Sequence, residues 1–134
     1  MEHRNQARRG REYQEQKQLF AWTRQPSIRS RWPELKLLHH IKNEDRQATA
    51  AAIAIDKAAG VKKGVPDLCL PVARGGWHGL YIEMKAPGGR PTQEQLWWLE
   101  ELMKQGYYAA ICCGWEAATI TLSDYLGGEI LRDE

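Results

Sequence analysis

Two carboxylates and one lysine are the residues of this sequence whose types and spacing best support chemistry. Asp67, Glu83 and Lys85 lie in the segment 64–85, GVPDLCLPVARGGWHGLYIEMK, in which apolar residues alternate on either side of a Gly-Gly pair. Alternation with a period of two is typical of β-strands, and the Gly-Gly pair predicts a tight turn between two antiparallel strands. If the turn is centred on Gly75, Asp67 faces Glu83, and Lys85 follows on the same face.

Facing carboxylates need a partner of opposite charge. At directly opposed strand positions their Cβ atoms lie roughly 5 Å apart, and the two charges repel unless a cation lies between them. A hard divalent ion held by one or two carboxylates and by water fits this arrangement, and Mg²⁺ prefers such sites. An ammonium beside the ion, as in Lys85, is suited to hold a nucleophilic water or to neutralise charge on a phosphate. The spacing therefore predicts a metal site with an adjacent lysine.

Residues 64–68, GVPDL, and 82–90, IEMKAPGGR, resemble the signature of the PD-(D/E)XK nucleases. The residues that surround the shared Asp, Glu and Lys resemble those of the VRR-NUC branch, in particular its small stand-alone members from phages. The likeness extends from about Glu12 to Leu126. Its further parts are a glutamate on the first helix, a His-His-Ile segment leading into Asn43, and a glutamine on a later helix.

The resemblance implies a fold and an activity. The fold is an α/β domain with a restriction-endonuclease-like mixed β-sheet flanked by helices on both faces. The activity is hydrolysis of DNA phosphodiesters with Mg²⁺ or Mn²⁺, by a homodimer that acts on branched DNA such as four-way (Holliday) junctions. The alternative is a catalytically silent DNA-binding or packaging module that keeps the nuclease fold. The presence of Asp67, Glu83 and Lys85 together argues against it.

The resemblance also implies which groups bind the metal ion. Asp67 and Glu83 are the acidic ligands, and the backbone carbonyl of Met84 is a further ligand. A glutamate of the first helix completes the site, directly or through water. Glu15 is the match for this glutamate, and Glu12 is its rival because nothing in the sequence fixes the register of the helix against the hairpin.

Other polar residues have a structural and a functional interpretation. Thr92 followed three residues later by Gln95 predicts a capping box, whereas the resemblance places a glutamine near the site, and both are compatible. Lys62 and Lys63 follow the C-terminus of the helix that is predicted to end near Gly60, and they either complement the dipole of that helix or contact phosphate. The residues predicted to contact DNA are the basic ones around the hairpin: Lys62, Lys63, Arg74 and Arg90.

Composition bounds these interpretations. The 134 residues, 43% hydrophobic and 27% charged, predict one globular domain over residues 1–134, with loose termini at 1–10 and 127–134. A net charge of +2 does not by itself indicate a nucleic-acid partner. The three cysteines lie in apolar runs and are expected to be buried and reduced. We expect no membrane partner, because no apolar run spans a bilayer and no signal segment is evident. The expected location is the cytoplasm of a phage-infected or prophage-bearing bacterial cell.

Hydrophobic periodicity, caps and breakers predict the elements that position the site. In order, they are a helix over about 11–24, a short strand over about 36–41, a helix that starts at Asn43 and ends near Gly60, the hairpin, a helix from Thr92 to about Gln105, a strand over 107–113 and a helix over about 115–126. The strand 107–113 is apolar throughout, which favours the interior of the sheet. His39 and His40 are expected to be one packed and one exposed, and the resemblance places the strand that carries them near the site.

Overall fold

The computed structural model describes residues 2–42 and 49–133, and its strands form one mixed sheet. The elements are α1 (Glu2–Thr23), α2 (Pro26–Arg31), a short 3-10 helix (Pro33–Leu37), β1 (His39–His40), α3 (Ala50–Ala58), β2 (Leu68–Leu70), β3 (Leu80–Lys85), α4 (Gln93–Lys104), β4 (Tyr108–Cys113) and α5 (Trp115–Leu126). The strand order is β1-β2-β3-β4, with antiparallel pairing up to β3 and a parallel β3–β4 pair. This confirms the predicted α/β fold class, a mixed sheet flanked by helices.

One face of the sheet carries the hydrophobic core. Helix α1 contributes Leu19 to this core and α5 contributes Tyr125, and both side chains are fully buried. Because strand side chains alternate between faces, Glu83 and Lys85 lie on the opposite face of β3. The even-numbered strand positions that face the core are Leu68, Leu70, Leu80, Ile82 and Met84.

The register of the hairpin is the predicted one. The paired residues of β2 and β3 are Leu68 with Ile82, Cys69 with Tyr81, and Leu70 with Leu80. Extended by one position, this register places Asp67, which directly precedes β2, opposite Glu83. The prediction that both carboxylates lie on one face therefore agrees with the strand pairing.

The turn of the hairpin is centred between Gly75 and Gly76 rather than on Gly75. Gly75 and Gly76 form a two-residue turn, both with positive φ, which is closed by a bridge between Arg74 and Trp77. If strand pairing continued from that bridge without interruption, its register would be shifted by one residue relative to the β2–β3 pairs. The first strand absorbs the extra residue within 71–73, as a β-bulge does. Because a one-residue slip moves side chains to the other face, this extra residue is required for the two carboxylates to meet.

The C-terminal segment, residues 129–132, packs against this turn. The backbone N–H of Arg132 donates to the Gly75 carbonyl at 2.8 Å, and its guanidinium lies 5.6 Å from the centre of the Trp77 ring. Ile130 packs on the core, and a Cβ at Gly75 would collide with the Ile130 carbonyl oxygen. Within the tail that the sequence predicts to be loose, residues 129–132 therefore make specific contacts with the turn and the core.

Strand β4 lies at the edge of the described sheet, and its predicted interior position is wrong. Its apolar character has another cause, since Cys112 packs in the core on one face. Helix α4 contacts β4, and the N–H of Ala109 donates to the sulfur of Met103 at 3.2 Å. A helix that engages the exposed edge of a strand limits its pairing with other chains.

Two helices differ from the predicted bounds. Helix α1 begins at Glu2 rather than near Arg11. Helix α3 begins at Ala50, and the Thr49 hydroxyl accepts the capping hydrogen bond from Ala52 N–H at 3.1 Å. The start predicted at Asn43 lies outside the described residues. No helix of the described segments is both long and apolar enough to cross a lipid bilayer.

Two predictions of burial are wrong, because the residues concerned are exposed. His39 and His40 are both exposed, because β1 is a two-residue strand at the sheet edge. All three cysteines are free, as predicted, and Cys69 and Cys112 are buried, but Cys113 is exposed at the end of β4.

Candidate metal centre

Asp67 is fixed by the strands on both sides of it. Its Oδ2 atom accepts a hydrogen bond from the Met84 N–H at 2.8 Å. Its backbone carbonyl accepts from the Ile41 N–H at 2.7 Å, and the Nδ1 atom of His40 lies 2.9 Å from the same oxygen. The carboxylate is therefore held at the point where β2 begins, with one of its oxygens engaged by the backbone of β3.

Glu83 is a buried carboxylate with an unsatisfied oxygen. The residue is 2% exposed, and its Oε2 atom has no donor among the described residues. It meets the Asp67 carboxyl, and such a pair forms a hydrogen bond only when one of the two carries a proton. Burial and, next, the charge of Asp67 raise the pKa of Glu83 to about 8. Burial also raises the pKa of Asp67, against the opposing effect of the Met84 N–H.

Lys85 supplies a buried ammonium beside this pair. It is 5% exposed, and its Nζ atom lies 3.4 Å from Glu83 Oε1 and 3.8 Å from Glu12 Oε1. One positive charge thus faces Glu83, Asp67 and Glu12 at the same place. The carboxylates outnumber the ammonium, so the site has an unbalanced negative charge when all three are ionised.

The arrangement fits a hard divalent cation. A buried oxygen without a donor and two carboxyls with raised pKa values are both relieved by a cation between them. The Lys85 carbonyl accepts from the Gly114 N–H on the β4 side, so strand alternation directs the Met84 carbonyl to the Asp67 side. In the described chain no three His, Cys, Asp or Glu side chains are grouped closely enough to hold an ion. The fit is therefore to an ion that retains several waters, as Mg²⁺ does.

The two rival glutamates of α1 have different neighbours. Glu12 reaches Lys85, whereas Glu15 Oε2 accepts a hydrogen bond from the Trp115 N–H at 2.7 Å. Trp115 is the first residue of α5, whose N-cap is Gly114 and has no side chain to satisfy the free N–H groups. The Glu15 carboxylate supplies the hydrogen-bond acceptor that the N-cap residue lacks, and its charge also complements the helix dipole. The structure brings Glu12 to the lysine of the centre and uses Glu15 to cap α5.

Gln95 forms the predicted capping box at the start of α4. Its Oε1 atom accepts from the Thr92 N–H at 2.8 Å, and the Thr92 hydroxyl accepts from the Gln95 N–H at 3.2 Å. This confirms the structural interpretation of Gln95. Its placement near the metal centre stays a prediction.

The four basic residues predicted to contact DNA fall into two groups. Lys62 and Lys63 precede the Asp67 strand and Arg90 follows the Lys85 strand, so these three flank the same end of the hairpin, and all are exposed. Lys63 also lies 3.6 Å from Glu94. Arg74 lies at the turn, at the opposite end of the hairpin, 3.6 Å from Glu34. The structure does not bring Arg74 to the carboxylates.

His40 lies in this region, where the resemblance places its strand, and the sequence did not indicate which residue it contacts. It contacts the Asp67 backbone because β1 pairs with β2, with His40 opposite Leu68. Its contact with Asp67 could not be derived from the sequence, because a two-residue strand gives no periodicity from which to find its partner.

Comparison with known proteins identifies a family and a related solved structure. The family profile described as "VRR-NUC domain" matches residues 5–115, which include Glu12, Asp67, Glu83 and Lys85. A solved structure described as "VRR_NUC domain protein" is 29% identical, with a TM-score of 0.74 over 91% of this chain and 93% of that chain. No curated protein gives a significant match.

The raised pKa of Glu83 predicts a pH-dependent stability for the metal-free protein. An acid whose pKa is raised by folding stabilises the fold below its unfolded pKa, here 4.5, and this contribution is lost as pH rises through about 8. We expect the free energy of unfolding in EDTA to fall over this range, and Glu83→Gln to flatten the fall. Urea denaturation at several pH values measures it, with the exposed Glu129→Gln as control. An equal slope in wild type and Glu83→Gln would contradict the assignment.

Proposed function

The chain belongs to the VRR-NUC domain family, and we propose that it is a metal-dependent DNA endonuclease of the PD-(D/E)XK type, with Mg²⁺ or Mn²⁺ held by Asp67 and Glu83. The observation that carries the proposal is a buried Glu83 carboxylate that faces the half-buried Asp67 beside a buried ammonium, with one Glu83 oxygen left without a donor among the described residues. A purely structural role would favour apolar residues or a balanced ion pair at this place.

Each polar group then has a role in phosphodiester hydrolysis. A bound divalent ion supplies a Lewis acid for the phosphate and lowers the pKa of a water molecule. Asp67 is oriented by the Met84 N–H, which leaves its second oxygen for the ion, and Glu83 contributes its buried Oε2. Lys85, held between Glu83 and Glu12, positions the attacking water and stabilises charge on the phosphate oxygens.

The proposal extends to the form of the substrate and of the enzyme. Exposed Lys62, Lys63 and Arg90 flank the metal end of the hairpin and are suited to bind phosphates on either side of the cleaved bond. The resemblance to small phage-type proteins supports a homodimer that acts on branched DNA inside a phage-infected or prophage-bearing bacterial cell. A two-fold axis relates two equivalent sites, which suits a substrate with two strands to cut.

Cleavage assays on labelled junction, flap and linear DNA test the activity. We expect cutting with Mg²⁺ or Mn²⁺, none in EDTA, and a rate reduced about a hundredfold or more in Asp67→Asn and in Lys85→Gln. Glu129→Gln, an exposed carboxylate of the C-terminal segment, should cut like wild type. Cleavage that persists in EDTA or in Asp67→Asn would eliminate the mechanism. Binding without cutting by wild type would favour the silent DNA-binding module.

Substitution of the two α1 glutamates separates the metal site from the cap. Glu12→Gln should weaken Mn²⁺ binding, measured by calorimetry, and slow cleavage, with little change in the free energy of unfolding. Glu15→Ala should instead cost about 1 kcal/mol of stability, because α5 loses its N-terminal acceptor, and should leave Mn²⁺ affinity nearly unchanged. Substitution of an exposed polar residue between them on the same helix, Gln14→Ala, is the control and should change neither quantity. The opposite pattern would return the ligand role to Glu15.

A further inference from the structure

Three rings form a continuous series of contacts, which we call the aromatic track: Tyr81, Tyr107 and His78. The centroids of Tyr81 and Tyr107 lie 5.5 Å apart with planes at 77°, and those of Tyr107 and His78 lie 5.8 Å apart at 65°. In an edge-to-face contact the edge of one ring meets one face of the other, so no ring of the pair has both faces covered by that contact. Tyr107 rests on Gly79, where a Cβ would come within 3.3 Å of the ring. The tyrosines are half-buried and His78 is exposed.

The aromatic track starts beside the metal centre. Tyr81 precedes Glu83 by two positions on β3, so the two side chains share a face and lie about 7 Å apart along the strand. Tyr81 is paired with Cys69 across the hairpin, and the two side chains lie on the same face of the sheet. A DNA strand that leaves the metal centre along this face of the sheet therefore reaches Tyr81 first and Tyr107 next.

The far end of the aromatic track is basic. Arg132 Nη1 and His78 Nε2 converge on one point, 2.9 and 2.8 Å from where a Cβ of Gly106 would lie. The guanidinium is held there by the Trp77 ring and by the backbone hydrogen bond of its own residue to Gly75. Both side chains are exposed. An exposed guanidinium beside an imidazole is suited to a phosphate group.

We propose that the aromatic track, with Arg132 at its far end, binds a few unpaired nucleotides of the DNA that is cut at the metal centre. Unpaired bases stack on tyrosine rings, whereas bases inside a duplex are already stacked. None of the side chains of the track is acidic, so phosphates are not repelled along it, and the cation at its end attracts them. This inference rests on the proposed nuclease function and narrows its substrate to DNA with a single-stranded part next to the cut.

Fluorescence anisotropy with a blunt duplex and with the same duplex carrying a single-stranded extension tests the proposal. Ca²⁺ replaces Mg²⁺ to limit cleavage. We expect Tyr107→Ala to lower affinity for the extended DNA about 5- to 100-fold and to change affinity for the blunt duplex less than about twofold. Tyr107→Phe keeps the ring and should bind like wild type. Arg132→Gln should weaken binding of the extended DNA, with a lower salt dependence.

A second readout keeps the test decisive if Tyr107→Ala does not fold. With 2-aminopurine in the extension, wild-type protein should quench the bases nearest the duplex, and Arg132→Gln should reduce the quenching. Equal losses for blunt and extended DNA, no loss for either, or no quenching would overturn the proposal. So would a Tyr107→Ala protein whose molar mass falls in light scattering while DNA binding is kept, since a second copy would then cover the track. Wild type that cuts DNA but ignores the extension overturns this inference alone. Wild type that neither binds nor cuts any DNA overturns the proposed function as well.

Discussion

Repulsion between two facing carboxylates, one buried and one half-buried, is the interaction on which the rest of the structure depends. Asp67, which is half-buried, lies close to the buried Glu83, and Lys85 balances only part of their charge. In such a place a like-charged pair must either retain a proton or bind a cation. The raised pKa of Glu83 is the first of these outcomes, and it describes the protein without an ion. The proposed nuclease is the second, and in that proposal the strain of the metal-free site is the source of the affinity for metal.

The surrounding elements keep this unfavourable pair in place. An extra residue before the glycine turn sets the register that brings the carboxylates to one face, and the C-terminal segment packs on that turn. Helix α1 contributes two glutamates with separate tasks, since Glu12 reaches Lys85 and Glu15 caps α5. The cap links α1 to the helix that follows β4, and so fixes the position from which Glu12 reaches the centre. Stability and the proposed chemistry therefore depend on neighbouring residues of one helix.

What could be predicted from the sequence is what short-range rules decide. Alternation and the Gly-Gly pair were sufficient for the β2–β3 pairing, and the Thr92–Gln95 spacing for the capping box. The choice between Glu12 and Glu15 was not accessible, because it depends on how α1 packs against distant residues such as Trp115. The edge position of β4 was missed for the same reason, because a strand has the same apolar sequence pattern whether it packs against another strand or against a helix. The ion, the DNA substrate and the dimer remain predictions.

Calorimetric titration of the metal-free protein with Mn²⁺ near neutral pH, in two buffers with different heats of ionisation, tests the central claim most directly. If the ion replaces a proton shared by Asp67 and Glu83, each chain binds Mn²⁺ and releases close to one proton, and Glu83→Gln removes both the binding and the release. Binding that releases no proton and survives Glu83→Gln would contradict the account, as would the absence of binding by wild type.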